Sequence, residues 1–321
     1  LRAGADPNIP EEILAKIISS IQPLLNNNTI QSSIGFILTT YNTIQPTPFI
    51  VSMIASLLTD IINNSSFSSN IPYISTASKL FEYSGPIEDS ITEDADCLEN
   101  LGNLASSIIS LCSEPQDNQT ERNVQAFEAL GSFISSFNKD IVNLFGNGLD
   151  IIVEAFENEI SLKVICGSIC LIAASTNGYD KLTPYSERIR RKLCFLLSQD
   201  ITHIDNAYLS RYLWALRILL EKEIISPISN DCENVAPHLA EIFSTSDPRN
   251  ILLSTSILML MPKAAINTLE ALKFSLETQS LTEQIVNNYS KLVNNCASID
   301  IKSIETFLLS LISDQYEKER N

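Results

Sequence analysis

Apolar residues recur at helical spacing along almost the whole chain, and this pattern constrains the fold more than any other feature. In the first such segment Ile13, Ile17 and Ile21 are four positions apart, so one helix face would carry all three. Pro10 and the two glutamates after it suit the first turn of that helix. The pattern predicts helices over residues 10–25, 30–41, 48–62, 72–84, 94–113, 119–137, 140–157, 160–176, 184–198, 204–223, 232–244, 248–259, 262–277, 280–296 and 300–317.

Turn-forming residues are too scarce for a sheet protein of this size. The 321 residues include 9 glycines and 13 prolines, whereas an all-β chain needs turn residues at short, regular spacing. One compact core rarely grows to this length, which leaves two domains or an extended repeat array. Because the predicted connections are short and no linker divides the chain, we expect an all-α fold. Its expected architecture is an α-solenoid (superhelix) of HEAT- or armadillo-like helical hairpins.

The predicted domain layout is a single solenoid of about seven hairpins at residues 10–317, followed by a short tail at 318–321. Residues 1–9 are expected to be either the end of a preceding segment or an artificial edge. Their sequence begins like the tail of an ankyrin unit, but no Thr-Pro-Leu-His-like start of such a unit follows. Units of about 36 to 50 residues instead fit HEAT or armadillo repeats.

Two successive segments show the repeat most clearly. Gly131 in AFEALGSF and Gly167 in VICGSICL take the same place in their helices, 36 residues apart, and Ala215 takes it in a third segment. Glycine inside a helix costs about 1 kcal/mol relative to alanine. We therefore expect a neighbouring helix to pass close to both glycines.

Four motifs follow one another between Asn123 and Phe243. They are AFEALGSF and FNKDIVNLFGNGL in one hairpin, then LKVICGSICLIA and TPYSERIRRKLCFLLSQ in the next. In order and spacing this stretch resembles the importin-β branch of the HEAT-repeat nuclear transport receptors. The sequence departs from that family at Asn138, where glycine is frequent, and at Ile141, where phenylalanine is frequent. It also contains no run of consecutive aspartates like that of the family's acidic loop.

The resemblance implies a nuclear transport receptor that holds basic cargo, or a basic adaptor segment, on a concave helical face. It also implies phenylalanine-glycine nucleoporins between convex helices, a small GTPase as a further partner, and a place in both cytoplasm and nucleus. We expect a monomer. Two other classes stay open. One is a non-transport HEAT or armadillo scaffold in a vesicle coat, phosphatase or kinase-associated assembly. The other is an enzyme subunit whose active site forms elsewhere.

The chain is strongly acidic, with a formal net charge of −17. A field of that sign repels nucleic-acid phosphates and attracts basic partners, so we expect protein partners and no nucleic acid. Two acidic groups are candidate partner-binding residues: Glu93, Asp94, Asp96 and Glu99 near the start of a helix, and Asp150, Glu154, Glu157 and Glu159 near the end of another. The alternative is a merely solvated surface. The basic stretch at 187–192, ERIRRK, is expected to pair with nearby acids.

No residue pattern for catalysis is present. Phosphate-binding loops, hydrolase nucleophile elbows and HExxH motifs do not occur, so we expect neither an enzyme nor a cofactor. His203 and His238 fall in different hairpins. Cys166 and Cys170 could share one helical face, but that helix is strongly apolar, and we expect buried thiols rather than a metal site. Seven cysteines without regular spacing favour free thiols in a reducing compartment.

The segment between Lys16 and Lys79 contains a single charged residue, Asp60. Its apolar runs are interrupted by Asn, Gln and Pro, and they are shorter than the roughly 20 residues that a membrane helix needs. We therefore expect buried helical hairpins in this segment and no membrane span.

Overall fold

The computed structural model describes residues 11–21, 35, 46–63, 71–113, 121–175, 178–199, 203–227, 230–245 and 247–261. Within these ranges all regular elements are helices, as the apolar periodicity predicts. The chain divides into two compact units, unit 1 at Leu1–Tyr185 and unit 2 at Ser186–Asn321. Several predictions lie outside the described residues. They are the helices at 262–277, 280–296 and 300–317, nearly all of the helix at 30–41, residues 1–9 and the tail at 318–321.

Unit 1 contains long helices separated by short ones. The described helices are α1 (Glu11–Ile21), α2 (Pro48–Asn63), α3 (Ile71–Ser84), α4 (Glu88–Glu93), α5 (Ala95–Ser113), α6 (Glu121–Ser136), α7 (Lys139–Leu144), α8 (Gly148–Glu157), α9 (Leu162–Ala174) and α10 (Gly178–Leu182). Single 3₁₀ turns at Gly85–Ile87 and Thr183–Tyr185 complete this part of the chain.

The longer helices of unit 1 form two layers. In the first layer α2 packs against α5 and α5 against α8; in the second layer α3 packs against α6 and α6 against α9. Each first-layer helix also contacts the second-layer helix that follows it, so the two layers enclose a common core. Phe133 lies in this core, with its ring centroid 5.0 Å from that of Phe81 and 5.5 Å from that of Phe137. All three rings are almost completely buried, which makes them a large part of the apolar surface removed from water.

The short helices mark a departure from the predicted pattern. The sequence predicts one helix over 140–157, but that prediction is wrong, because the chain turns at Gly146 and forms α7 and α8 instead. Gly146 has a φ of 126°, a conformation that glycine adopts far more readily than other residues. Asn138 begins α7, since its side chain accepts hydrogen bonds from the backbone N–H groups of Asp140 at 2.9 Å and Ile141 at 3.0 Å. This N-cap gives the asparagine a structural role.

A buried lysine closes the C-terminal end of α6. Lys181 in α10 is 1% exposed, and its ammonium group donates hydrogen bonds to the backbone carbonyls of Ile134 and Phe137. A cation suits this place because the last turn of a helix has unpaired carbonyls and partial negative charge. Burial lowers the pKa of Lys181 to about 8, while the nearby negative charge of Glu88 acts in the opposite direction. Glu88 is itself held, because its Oε1 accepts a hydrogen bond from the backbone N–H of Asn138 at 3.0 Å.

The close helix crossing predicted at Gly131 is confirmed. A Cβ atom at Gly131 would lie 2.7 Å from the Cβ and 3.2 Å from the Cα of Ser168 on α9. Carbon atoms pack at about 3.5–4.0 Å, so only a glycine allows this approach. Ser168 is buried, and its Oγ donates a hydrogen bond to the carbonyl oxygen of Phe127 at 3.2 Å. On α9 the residue at the crossing is therefore Ser168, while the neighbouring Gly167 is half-buried.

Unit 2 has the same kind of packing between alternate helices. Its described helices are α11 (Ser186–Leu197), α12 (Asn206–Glu221), α13 (Asn230–Thr245) and α14 (Pro248–Leu260). Helix α11 packs against α13, and α12 packs against α14. The basic stretch lies on α11, where Glu187 pairs with Arg190 at 2.7 Å and with Arg191 at 2.9 Å. Arg190 also pairs with Asp231 of α13 at 2.6 Å. The predicted pairing of this stretch with nearby acids is confirmed.

Candidate functional site

Charge is divided unequally between the two layers of unit 1. The first-layer helices α2, α5 and α8 contain carboxylates and no basic residue: Asp60, Asp96, Glu99, Asp150, Glu154 and Glu157. The second-layer helices α3, α6 and α9 contain both signs: Lys79, Arg122 and Lys163 beside Glu82, Glu121 and Glu128. We call α2, α5 and α8 the acidic layer. Five of its six carboxylates belong to the two acidic groups predicted from the sequence, and Asp60 is the sixth. The packing of the helices places all six in one layer.

The first predicted group contains one structural residue and three exposed ones. Asp94 is half-buried, and its Oδ1 accepts a hydrogen bond from the backbone N–H of Cys97 at 2.9 Å, which caps the start of α5. Glu93, Asp96 and Glu99 are exposed. Asp96 lies in the first turn of α5, where the positive end of the helix favours an acid. Partner contact from this group would therefore depend on the three exposed carboxylates.

The second predicted group is also divided. Asp150 on α8 is half-buried and accepts a hydrogen bond from the Tyr185 hydroxyl at 2.9 Å. Glu154 is exposed, whereas Glu157 is half-buried and already has an interaction partner. Glu159 is exposed and follows the end of α8 with a φ of 63°, so it is a turn residue and not part of the helix face. Glu154 is thus the residue of α8 best placed to meet a partner.

Asp60 is a member of the acidic layer that the sequence patterns do not single out as a site. It is exposed on α2 and faces a cavity of about 300 Å³ between α1, α2 and α5. The signal in the sequence was its isolation, since it is the single charge between Lys16 and Lys79. The isolation of this charge alone says nothing about function. The cavity beside its carboxylate makes Asp60 a candidate binding residue.

Unit 2 has a different surface. Helix α12 carries the chain's one tryptophan, Trp214, which is half-buried with the Arg211 guanidinium carbon 5.2 Å from its ring centroid. Arg217, on the same helix, pairs with Glu221 at 2.7 Å. A depression of about 720 Å³ lies between the start of α11 and the ends of α12 and α14. Among the described residues that line it, the one basic side chain is that of Arg190, which is paired with Glu187 and Asp231.

The thiols are placed as small apolar side chains. Cys166 and Cys170 are fully buried on α9, as predicted, and no disulfide occurs in the described part of the chain. Burial raises the pKa of the Cys97 thiol to about 12, with the charge of Asp94 acting in the same direction. A raised pKa keeps the thiol protonated and poorly nucleophilic. Among the described residues, no group of three or more histidine, cysteine or acidic side chains is arranged to hold a metal ion.

No described helix combines the length and the apolar character needed to cross a membrane.

Comparison with known proteins connects the chain to solved structures. No protein-family model and no curated protein sequence matches it. An engineered protein is similar at 15% identity with a TM-score of 0.55, over 76% of this chain and 99% of that one. A designed armadillo repeat protein in complex with the peptide (KR)4 is similar at 14% identity with a TM-score of 0.52, over 75% and 99%. A structure of computationally designed armadillo repeat proteins for modular peptide recognition is similar at 14% identity with a TM-score of 0.51. The match covers 76% of this chain and 99% of that one.

The chain therefore has an all-α solenoid fold of armadillo-like helical repeats. The short helices that precede α5 and α8 agree with this class, since an armadillo unit contains a third helix that a simple hairpin lacks. At identities of 13–15% the similarity establishes the fold alone. The function must therefore be argued from the surface residues of this chain.

Proposed function

We propose that this protein is a protein-binding solenoid whose acidic layer holds a basic, extended segment of a partner. The observation that carries the proposal is the charge division in unit 1, with six carboxylates and no cation on α2, α5 and α8. A one-signed surface attracts a basic segment and disfavours an acidic one. The similar designed armadillo protein in complex with (KR)4 supports a basic peptide as the partner class.

The helix spacing of the acidic layer suits an extended peptide. Packed helices lie about 8–10 Å apart, whereas an extended chain advances about 3.3–3.6 Å per residue. A peptide that crosses the layer therefore reaches a new helix about every third residue. Basic side chains at that spacing would meet Glu99 on α5 and Glu154 on α8 in turn, both of which are exposed.

The specific role we propose is that of an importin-β-like transport receptor for basic cargo, acting in cytoplasm and nucleus. The resemblance between Asn123 and Phe243 supports this role, and phenylalanine-glycine nucleoporins and a small GTPase would be its further partners. The second candidate is a scaffold subunit of a coat, phosphatase or kinase-associated assembly. For both roles we propose a binding protein and not an enzyme.

The test is a titration with (KR)4 at about 0.05 M and about 0.15 M salt, since exposed charges are screened beyond about 8 Å at the higher value. The acidic-layer variant is Glu99→Lys with Glu154→Lys. Its matched control is Glu121→Lys with Glu128→Lys, which makes the same change in net charge at exposed positions of the second-layer helix α6. We expect about a tenfold loss of affinity in the acidic-layer variant and less than about threefold in the control.

Two results would contradict the proposal. If both variants lose affinity equally, the peptide responds to net charge and not to the acidic layer. If the higher salt abolishes binding in the wild type, the carboxylates are a solvated surface and the scaffold role is favoured. A peptide of neutral residues serves as the control for non-electrostatic binding.

A further inference from the structure

The cavity beside Asp60 is built from three helices of unit 1. One wall is a stripe of α2 in which Ser52, Ser56 and Asp60 follow at intervals of four, so that they share a helix face. Ser19 of α1 and Asn100 of α5 also line the cavity. The volume is about 300 Å³, which is large enough for one long side chain and too small for a folded element.

The polar groups around the cavity include several oxygen atoms that can accept a hydrogen bond. The Ser19 hydroxyl donates to the carbonyl oxygen of Ala15 at 2.8 Å, which leaves its oxygen lone pairs for another donor. The Asn100 amide nitrogen donates to Ser52 Oγ at 2.9 Å, which leaves Asn100 Oδ1 as an acceptor. Asp60 adds a carboxylate, and the described residues that line the cavity include no lysine or arginine. The carboxylate therefore favours a cation, and the Asn100 and serine oxygens can accept hydrogen bonds from it.

The remaining lining is apolar. Met53 is half-buried and Leu57 is 7% exposed, and both follow the same stretch of α2 as the polar stripe. Lysine and arginine side chains need such a wall, because their methylene stems cover apolar surface while the charged end stays among polar groups. A small inorganic cation would make no use of it.

We propose that this cavity is a specificity pocket for one basic side chain of the bound partner, with arginine preferred to lysine. The planar guanidinium has five donors in a fork, which matches acceptors from three helices better than a compact ammonium does. Asp60 neutralises the charge, Asn100 Oδ1 and the serine oxygens accept the remaining donors, and Met53 and Leu57 contact the stem. The proposal deepens the proposed binding of basic segments and rests on it for the identity of the ligand.

The experiment observes the pocket directly by NMR of ¹³C-methyl methionine. The chain has 3 methionines, of which Met53 lines the pocket and Met261 is buried in unit 2 as an internal control. The Nα-acetyl amides of arginine, of lysine and of the uncharged arginine analogue citrulline are the probes. We expect a saturable shift of the Met53 signal with arginine, a weaker affinity for lysine and no shift with citrulline, while Met261 stays unchanged.

Two variants connect the signal to the carboxylate. Asp60→Asn removes the charge in nearly the same shape and should weaken arginine binding about tenfold, the loss expected for one charge-assisted hydrogen bond. Asp89→Asn makes the same change at an exposed residue of α4 outside the pocket and should leave the affinity within about twofold. Equal circular dichroism melting curves establish that both variants fold.

The outcomes separate this inference from the proposed function. If Met53 does not shift with arginine, or shifts equally with citrulline, the pocket proposal is overturned even when (KR)4 binds to Glu99 and Glu154 as expected. If arginine moves Met53 and Asp60→Asn weakens it, the pocket is supported even when (KR)4 shows no dependence on those glutamates. Unchanged affinity in Asp60→Asn overturns the role of the carboxylate.

Discussion

Replacing Gly131 with alanine tests the crossing of α6 and α9 on which the second layer depends. The new methyl group would lie 2.7 Å from Ser168 Cβ and 2.6 Å from Ser168 Oγ. The hydroxyl can rotate away, but Cβ and Cα belong to the frame of α9. Normal carbon contact requires about 3.5–4.0 Å, so α9 must move by about 1 Å or distort.

The expected effect is the difference of two terms. Overpacking of this kind lowers the free energy of unfolding by about 1–3 kcal/mol, whereas the better helix propensity of alanine raises it by about 1 kcal/mol. We therefore expect Gly131→Ala to lower the free energy of unfolding by about 1 kcal/mol, and Gly131→Leu to lower it more. Ser168→Gly removes the obstructing atoms. In the double variant with Gly131→Ala the two effects should be non-additive, with a favourable coupling of about 1 kcal/mol or more.

Urea unfolding followed by circular dichroism measures the difference, and calorimetry checks it as a fall in Tm of about 2–4 °C per kcal/mol for a unit of this size. Glu128→Ala, at an exposed position of the same helix, is the control and should change stability by less than about 0.5 kcal/mol. If Gly131→Leu is also as stable as the wild type, α6 and α9 do not cross closely at Gly131.

Three further predictions follow from other buried or capping groups. As the pH rises from about 8 to about 10.5, the wild type should gain stability relative to Lys181→Met, by at most about 3 kcal/mol. The reason is that the pKa of Lys181 is about 8 in the folded protein and higher in the unfolded chain, so the unfolded chain binds more protons in this range. Urea unfolding at several pH values checks this, and a parallel pH dependence of the two proteins would refute it. Asn138→Ala should cost about 1 kcal/mol through loss of the α7 N-cap, whereas Asn138→Asp should keep most of the stability. Above pH 9 the wild type should lose stability that Cys97→Ala retains, since burial raises the pKa of this thiol to about 12 and the unfolded chain releases the proton first.

The helices themselves were predictable from the sequence. Predicted segments at 119–137, 160–176 and 204–223 correspond to α6, α9 and α12, with ends that differ by about two residues. The break between α7 and α8 was missed because the apolar residues on both sides keep helical spacing through Gly146, and only the backbone shows its positive φ. The Gly131 crossing was predicted because a repeated glycine inside a helix needs a compensating contact.

The candidate site was only partly predictable. The sequence identified the acidic residues, but Asp94 is used locally to cap α5, and Asp150 accepts a hydrogen bond from a tyrosine hydroxyl that only tertiary contact brings to it. Asp60 gained its significance from α1 and α5, which line the cavity beside it. Lys181 lies between the predicted helices at 160–176 and 184–198, where no pattern indicates burial, yet it is buried against the end of α6.

What the sequence determined by itself is helix formation, because the period of apolar residues is a property of a few neighbouring turns of backbone. What the tertiary structure decided is which helices stack together. Stacking joins residues that are far apart in the chain, as in the contacts of Gly131 with Ser168 and of Lys181 with Ile134, and no local pattern encodes such pairs. The acidic layer exists for the same reason. Its carboxylates are scattered from Asp60 to Glu157 along the chain, and they share one layer because α2, α5 and α8 pack in succession.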